Sequence, residues 1–164
     1  GFEISAAHAV PDANILTMAE NLTVAKNMND SVGIPVIADC DNGYGNAINV
    51  IRMVEEYEKA GIAAVCMEDN VFPKRCSFYS SVKRELESIE EFSGKIRAAK
   101  RTQKDPDFIV IARTEALIAG WGMEEALKRG RSDLREKLGP EGAARRRADD
   151  LQHDQRLGAR RSRF

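Results

Sequence analysis

The sequence predicts an α/β fold built on a parallel sheet, and three observations carry that prediction. Three short runs, Ile34–Asp39 (IPVIAD), Ile62–Glu68 (IAAVCME) and Phe108–Arg113 (FIVIAR), are rich in Ile and Val and nearly continuous in apolarity. That is the pattern of parallel strands covered on both faces. Helical patterns fill the chain between the runs, and such alternation brings successive strands parallel. Each run also ends in charge: Asp39-Cys40-Asp41, Glu68-Asp69 and Arg113-Thr114-Glu115.

A helix is expected before the first strand, around Leu16–Met28. The next, Ala47–Ala60, places Ile48, Ile51, Val54 and Tyr57 along one face, and Gly61 can stop it in a left-handed conformation. Ser88-x-x-Glu91 is a capping box that opens a helix through Phe92, Ile96 and Ala99. Gly122-Met-Glu-Glu-Ala-Leu-Lys-Arg begins another after the third strand. Asp39 to Glu68 spans 29 residues, an ordinary βα repeat, whereas Glu68 to Arg113 spans 45. The excess falls in Asn70–Glu87, a long loop at the mouth of the sheet that reads as a lid.

Composition narrows the class. The 164 residues suffice for one domain core. No apolar run approaches the roughly 18 residues that span a bilayer, and no signal pattern opens the chain. The first residue is Gly1, so the natural start is expected to be missing. Cys40, Cys66 and Cys76 are odd in number without C-x-x-C spacing, which points to reduced thiols in a cytoplasmic protein. Residues 1–128 carry 14 Lys/Arg against 20 Asp/Glu, while residues 129–164 carry 11 against 6. Two segments follow from this asymmetry: 1–129, an α/β domain, and 130–164, an Arg-rich tail.

The chemistry lies at the strand ends. In parallel barrels the carboxyl ends of all strands open on one face, where sites are built. Side chains alternate along a strand, so Asp39 and Asp41 are expected to share a face, as are Cys66 and Glu68. Asp39, Asp41 and Glu68 are hard oxygen ligands, and three crowded acids repel one another without a cation. Magnesium suits them, since it takes one or two carboxylates directly and keeps several waters. Arg113 stays protonated, and its planar fork fits a carboxylate or phosphoryl group. A cation beside an arginine describes a pocket for a small dianionic substrate that chelates metal through a 2-oxo acid, and such a site stabilises an enolate oxygen. Gly43-Tyr44-Gly45 is a tight turn near that site and lacks the rest of a dinucleotide fingerprint. His8 and His153 have no metal-ligand spacing.

Several motifs stand in order. Asp39-x-Asp41-x-Gly-Tyr-Gly-Asn46, Met67-Glu-Asp69, Phe72-Pro-Lys74, Ile89-Glu-Glu-Phe92 and Ile111-Ala-Arg-Thr-Glu-Ala-Leu-Ile-Ala-Gly-Trp-Gly122 resemble one superfamily. It is the isocitrate lyase and phosphoenolpyruvate mutase superfamily, in its phosphoenolpyruvate mutase and phosphonopyruvate hydrolase branch. Gly1-Phe-x-Ile-Ser-Ala and Val10-Pro-Asp-Ala-Asn14 are similar to the segment after that family's second barrel strand. The resemblance covers residues 1–129 and implies a partial (β/α)8 barrel of about three βα units. It implies that Asp39 binds magnesium directly and that Asp41 and Glu68 hold its waters. It places Asp12 beside the reacting group, Gly1 and Phe2 at the substrate carboxylate and oxo group, Arg113 at the substrate, and Lys74 on the lid. The implied activity is carbon–phosphorus bond chemistry on phosphonopyruvate or phosphoenolpyruvate, as a mutase or a hydrolase.

Three departures qualify this. Cys76 stands where the mutase has Asn and the hydrolase Thr, whereas isocitrate lyases carry a catalytic Cys there. A thiol beside Lys74 and Arg75 can serve a carbanion as acid or base, so a carbon–carbon lyase is the alternative. Ser77-Phe78 does not complete the lyase motif, and Cys76 as catalyst or bystander stays open. Asn70 replaces a Lys frequent in the mutase branch. After Arg129 the family pattern stops: residues 130–164 contain no β-branched residue and carry Arg145-Arg146-Arg147 and Arg160-Arg161. We read this as a frame-shifted or foreign ending. No nucleic-acid partner is expected, because aromatics are absent between the arginines and Asp149, Asp150 and Asp154 dilute them. No membrane partner is expected either. A third reading is a non-catalytic remnant whose tail binds an anion. With about three of eight strands, a weakly active chain is expected, and the family's homo-oligomer is doubtful for it.

Overall fold

A computed structural model of the chain describes residues 1–76 and 83–136. The Ser77-Phe78 part of the expected lid and the arginine clusters of the tail lie outside the described residues. Seven elements follow in order: α1 (Phe2–Ala7), α2 (Met18–Ser31), β1 (Ile37–Asp39), α3 (Ala47–Lys59), β2 (Ala64–Glu68), α4 (Ile89–Thr102) and β3 (Ile109–Arg113). A further helix, α5, runs over residues 122–136. The three strands form one parallel sheet in the order β1-β2-β3, as the alternation predicts. The strands are shorter than their apolar runs, because Ile34, Ile62 and Phe108 belong to the approaches.

Local signals explain where the helices begin. Thr17 and Glu20 form a full capping box on α2, Glu20 accepting from the Thr17 amide at 2.7 Å. This box, not Leu16, starts the helix. Asn46 accepts from the Ile48 amide at 2.9 Å to open α3, and Gly61, at φ 78, ends it as expected. Ser88 accepts from the Glu91 amide at 3.1 Å at the head of α4. His8 closes α1, its Nδ1 bonded to the Ile4 carbonyl. Among the described residues no helix is long and apolar enough to cross a membrane.

The core lies on one side of the sheet. Ala38, Val65, Met67 and Val110 meet Val50, Met53, Val54 and Tyr57 of α3 and Phe92, Ile96 and Ala99 of α4. Two sequence expectations need correction here. The inward face of α3 is set by Val50, Met53, Val54 and Tyr57, whereas Ile48 is 75% exposed and Ile51 also faces outward. Spacing alone cannot choose between two apolar stripes that overlap on one helix. Only β2 is covered on both faces: Ala64 is buried, whereas Ile37 of β1 and Ile109 of β3 beside it are 60% and 51% exposed. Both parallel crossovers run through helices on the same side, so on the opposite face the two edge strands keep Ile37 and Ile109 in the open.

α5 continues through Gly130, and the boundary expected at 129/130 falls inside it. Ser93 of α4 bonds Ser132 at 2.9 Å and Asp133 at 3.0 Å, and Arg97 meets Glu136 at 3.1 Å. Burial, only partly offset by the Ser93 hydroxyl, pushes the Asp133 carboxyl up to about 6 from an ordinary 3.8. An acid whose folded pKa is raised costs stability when ionised. Stability should therefore fall as pH rises from about 3.8 through about 6. Asp133→Asn should remove that component of the slope in urea melts at stepped pH. In the core, Met53→Ala should cost about 2–5 kcal/mol, and Ile48→Lys should stay within about 0.5 kcal/mol, both read by urea denaturation.

Candidate active site

Parallel pairing brings charged side chains to one edge. The register sets Asp39 opposite Cys66 and Glu68 opposite Arg113. Beyond β1 the ladder continues through main-chain bonds, Cys40 N–H to the Cys66 carbonyl and Glu68 N–H to the Asp41 carbonyl, both 2.8 Å. Asp41 itself is left-handed at φ 47, so strand alternation does not place it. The turn does. Gly43 makes that turn possible: at φ 83, a Cβ there would meet Val50 Cγ2 at 2.6 Å. Asp39 and Asp41 still converge, because a Cβ added to Gly1 would lie 3.1 Å and 3.2 Å from their oxygens.

Lys74 stands among the acids. Its Nζ lies 2.8 Å from Asp41 Oδ1, 3.2 Å from Asp12 Oδ2 and 3.7 Å from Glu68 Oε1. Burial opposes its charge, but Asp41, Glu68 and Asp12 more than offset that and hold the ammonium above its ordinary range. Burial raises Glu68, with Lys74 and Arg113 pulling the other way. Asp39 Oδ2 lies 3.1 Å from the Gly1 nitrogen, and Lys74 favours its charged form against the opposing effect of burial. Arg113 Nη1 is 3.4 Å from Glu68, and its Nε donates to Glu115 at 2.6 Å. Its side chain remains 44% exposed, open to a ligand.

These groups line a cavity of about 160 Å³ whose wall includes Phe2, Asp12, Asp39, Glu68, Asn70, Lys74, Cys76, Arg113 and Glu115. The candidate site residues Phe2, Asp12, Asp39, Glu68, Lys74, Cys76 and Arg113 therefore line this cleft, with Asp41 touching Lys74 and Gly1 touching Asp39. Cys76 is buried in the lining. Two contributors escaped the sequence reading. Glu115 is 2% exposed and orients Arg113. Asp69 accepts from Thr114 Oγ1 at 2.8 Å, the Glu115 amide at 2.8 Å and Arg129 Nη1 at 3.1 Å. Both lie in charged strand ends, but their partners are 45 to 60 residues away for Asp69, beyond any local signal.

Among the described residues no three His, Cys, Asp or Glu side chains are close enough to share one metal ion. A cage of direct ligands is thus not what this cleft offers. One direct carboxylate with water-held neighbours fits better. Asp39, at 39% the most open of the three expected ligands, suits the direct role. The charge balance agrees with a cation, since Asp12, Asp39, Asp41, Glu68 and Glu115 outnumber the side-chain cations Lys74 and Arg113. Lys74→Met should lower stability by about 3 kcal/mol or more in chelator-treated buffer. Millimolar divalent cation should recover part of the loss in a thermal melt, and no recovery would count against a cation site.

Comparison with known proteins agrees in fold and sequence. A family model described as phosphoenolpyruvate phosphomutase matches residues 1–133. The phosphonopyruvate hydrolase of Variovorax sp. (strain Pal2) is 53% identical over 132 residues, 80% of this chain and 46% of its own. The 2,3-dimethylmalate lyase of Eubacterium barkeri is 49% identical over 79% of this chain and 44% of its own. The crystal structure of phosphoenolpyruvate phosphomutase from Streptomyces platensis subsp. rosaceus superposes with a TM-score of 0.80 and 58% identity, covering 82% of this chain and 47% of that one. A phosphonopyruvate hydrolase complex with oxalate and Mg++ gives 0.74 and 50%, over 82% and 45%. The chain thus spans less than half the length of these relatives.

Proposed function

The chain belongs to the phosphoenolpyruvate phosphomutase family, and on that footing we propose that its cleft serves carbon–phosphorus bond chemistry on phosphonopyruvate or phosphoenolpyruvate. The observation that carries this is the meeting of Asp12, Asp41 and Glu68 around Lys74, with Arg113 flanking Glu68. The magnesium and oxalate bound by the related hydrolase support the same reading. Asp39 would hold magnesium directly, with Asp41 and Glu68 holding its waters. Bound there, the ion supplies positive charge to the oxygens of a 2-oxo acid and favours the enolate.

The chain's own residues do the rest. Arg113, its Nε fixed by Glu115, turns its fork to the substrate carboxylate. Gly1 and Phe2 present backbone to the carboxylate and oxo group. Lys74 meets the phosphoryl oxygens, and Asp12 lies beside the group transferred. When the carbon–phosphorus bond breaks, its electron pair stays on pyruvate as the enolate. The phosphoryl group then passes to water in a hydrolase or to the enolate oxygen in a mutase.

One observation favours a second reading. Cys76 is buried in the cavity lining, where a thiol can exchange a proton with a carbanion, and a carbon–carbon lyase is among the relatives. Because Ile37 and Ile109 leave the cleft side of the sheet open, we also propose that these 164 residues alone turn over weakly. Incubation with phosphonopyruvate and magnesium, followed by phosphorus NMR, should show loss of substrate to phosphate or to phosphoenolpyruvate. Cys76→Ser should leave that rate within about twofold, a small barrier change. No phosphorus product, with Cys76-dependent cleavage of a 2-alkylmalate instead, would favour the lyase.

A further inference from the structure

We propose that Asn14 is a positioning residue for Lys74, pinning the lysine backbone while Asp12 of the same turn holds its ammonium. The inference rests on the reading of Lys74 as a substrate-facing group. Asn14 Oδ1 accepts from the Lys74 amide at 2.5 Å across 60 residues of sequence, and Lys74 Nζ is 3.2 Å from Asp12 Oδ2. One short turn therefore grips the residue at both ends. A lysine stem carries about 2 kcal/mol of rotamer entropy, so fixing its root restricts where the ammonium can reach.

The turn itself demands an unusual residue. Asn14 sits at φ 56, a left-handed conformation that Asn tolerates better than most side chains. Glycine would fit but brings no acceptor. An amide N–H needs an oxygen, which settles the direction of the side-chain amide. Asn14 Nδ2, buried, has no partner among the described residues, so the Lys74 bond is what orients this side chain. A local turn cap would bond a near neighbour. This one reaches the segment that carries Lys74.

Hydrogen exchange on the full chain tests the tether without substrate. Asn14→Gly keeps the left-handed backbone and removes the acceptor, and should speed exchange of the Lys74 amide about two- to tenfold, the worth of one hydrogen bond. Core amides at Val65 and Val110 should not change, and Asn14→Asp, which keeps the acceptor, should restore protection. Should Asn14→Gly unfold the chain, Asn14→Ser, whose oxygen stops one bond short, takes its place. In turnover, loss of the tether should lower kcat about tenfold to a hundredfold with KM nearly constant. Unchanged Lys74 exchange in the glycine variant, or no rescue by Asp, overturns the proposal. Faster Lys74 exchange in a chain that never acts on phosphonopyruvate supports the tether and overturns the phosphonate reading instead.

Discussion

The ammonium of Lys74 stands within ion-pair distance of Asp12, Asp41 and Glu68, three carboxylates delivered by three separate stretches of chain. Such a cluster is costly to bury unless positive charge lies inside it. The cleft meets that constraint in part with Lys74 and Arg113. In the proposed function, the binding of a cation and of an anionic substrate both rest on this one electrostatic balance.

The sheet makes the balance geometrically possible. α3 and α4 pack on one face and sequester Val65, Met67 and Val110, so residues on the other face turn toward the cleft. Parallel pairing then carries Asp39, Glu68 and Arg113 to the same edge without any contact between distant segments having to be specified separately. The same arrangement leaves Ile37 and Ile109 exposed, an apolar surface that a more complete barrel would cover.

Behind the cleft, Asp69 is a fully buried junction. It binds Thr114, the Glu115 amide and Arg129, and Arg129 also lies 5.0 Å over the Trp121 ring and bonds the Glu87 carbonyl. Removing either partner of such a pair strands a buried charge. The orientation of Arg113 thus depends on α5, through Asp69 and Glu115, although no residue of α5 reaches the cavity lining. The junction also explains why adjacent acids differ in use: Glu68 faces the cleft, and Asp69, one residue on, faces the interior.

The sequence by itself determined the alternation of strands and helices, the stop at Gly61 and the strand ends that carry the charge, because periodicity and capping are local properties. It also determined the family, through motifs standing in order. Only the tertiary structure decided which stripe of α3 is buried, since Ile48 and Val50 are equally apolar and packing alone separates them. It likewise brought Asp41 into the cleft by a left-handed turn rather than by strand alternation. Asn14 and Asp69 take their roles from partners dozens of residues away, and a hydrogen bond across that distance exists only once the chain has folded.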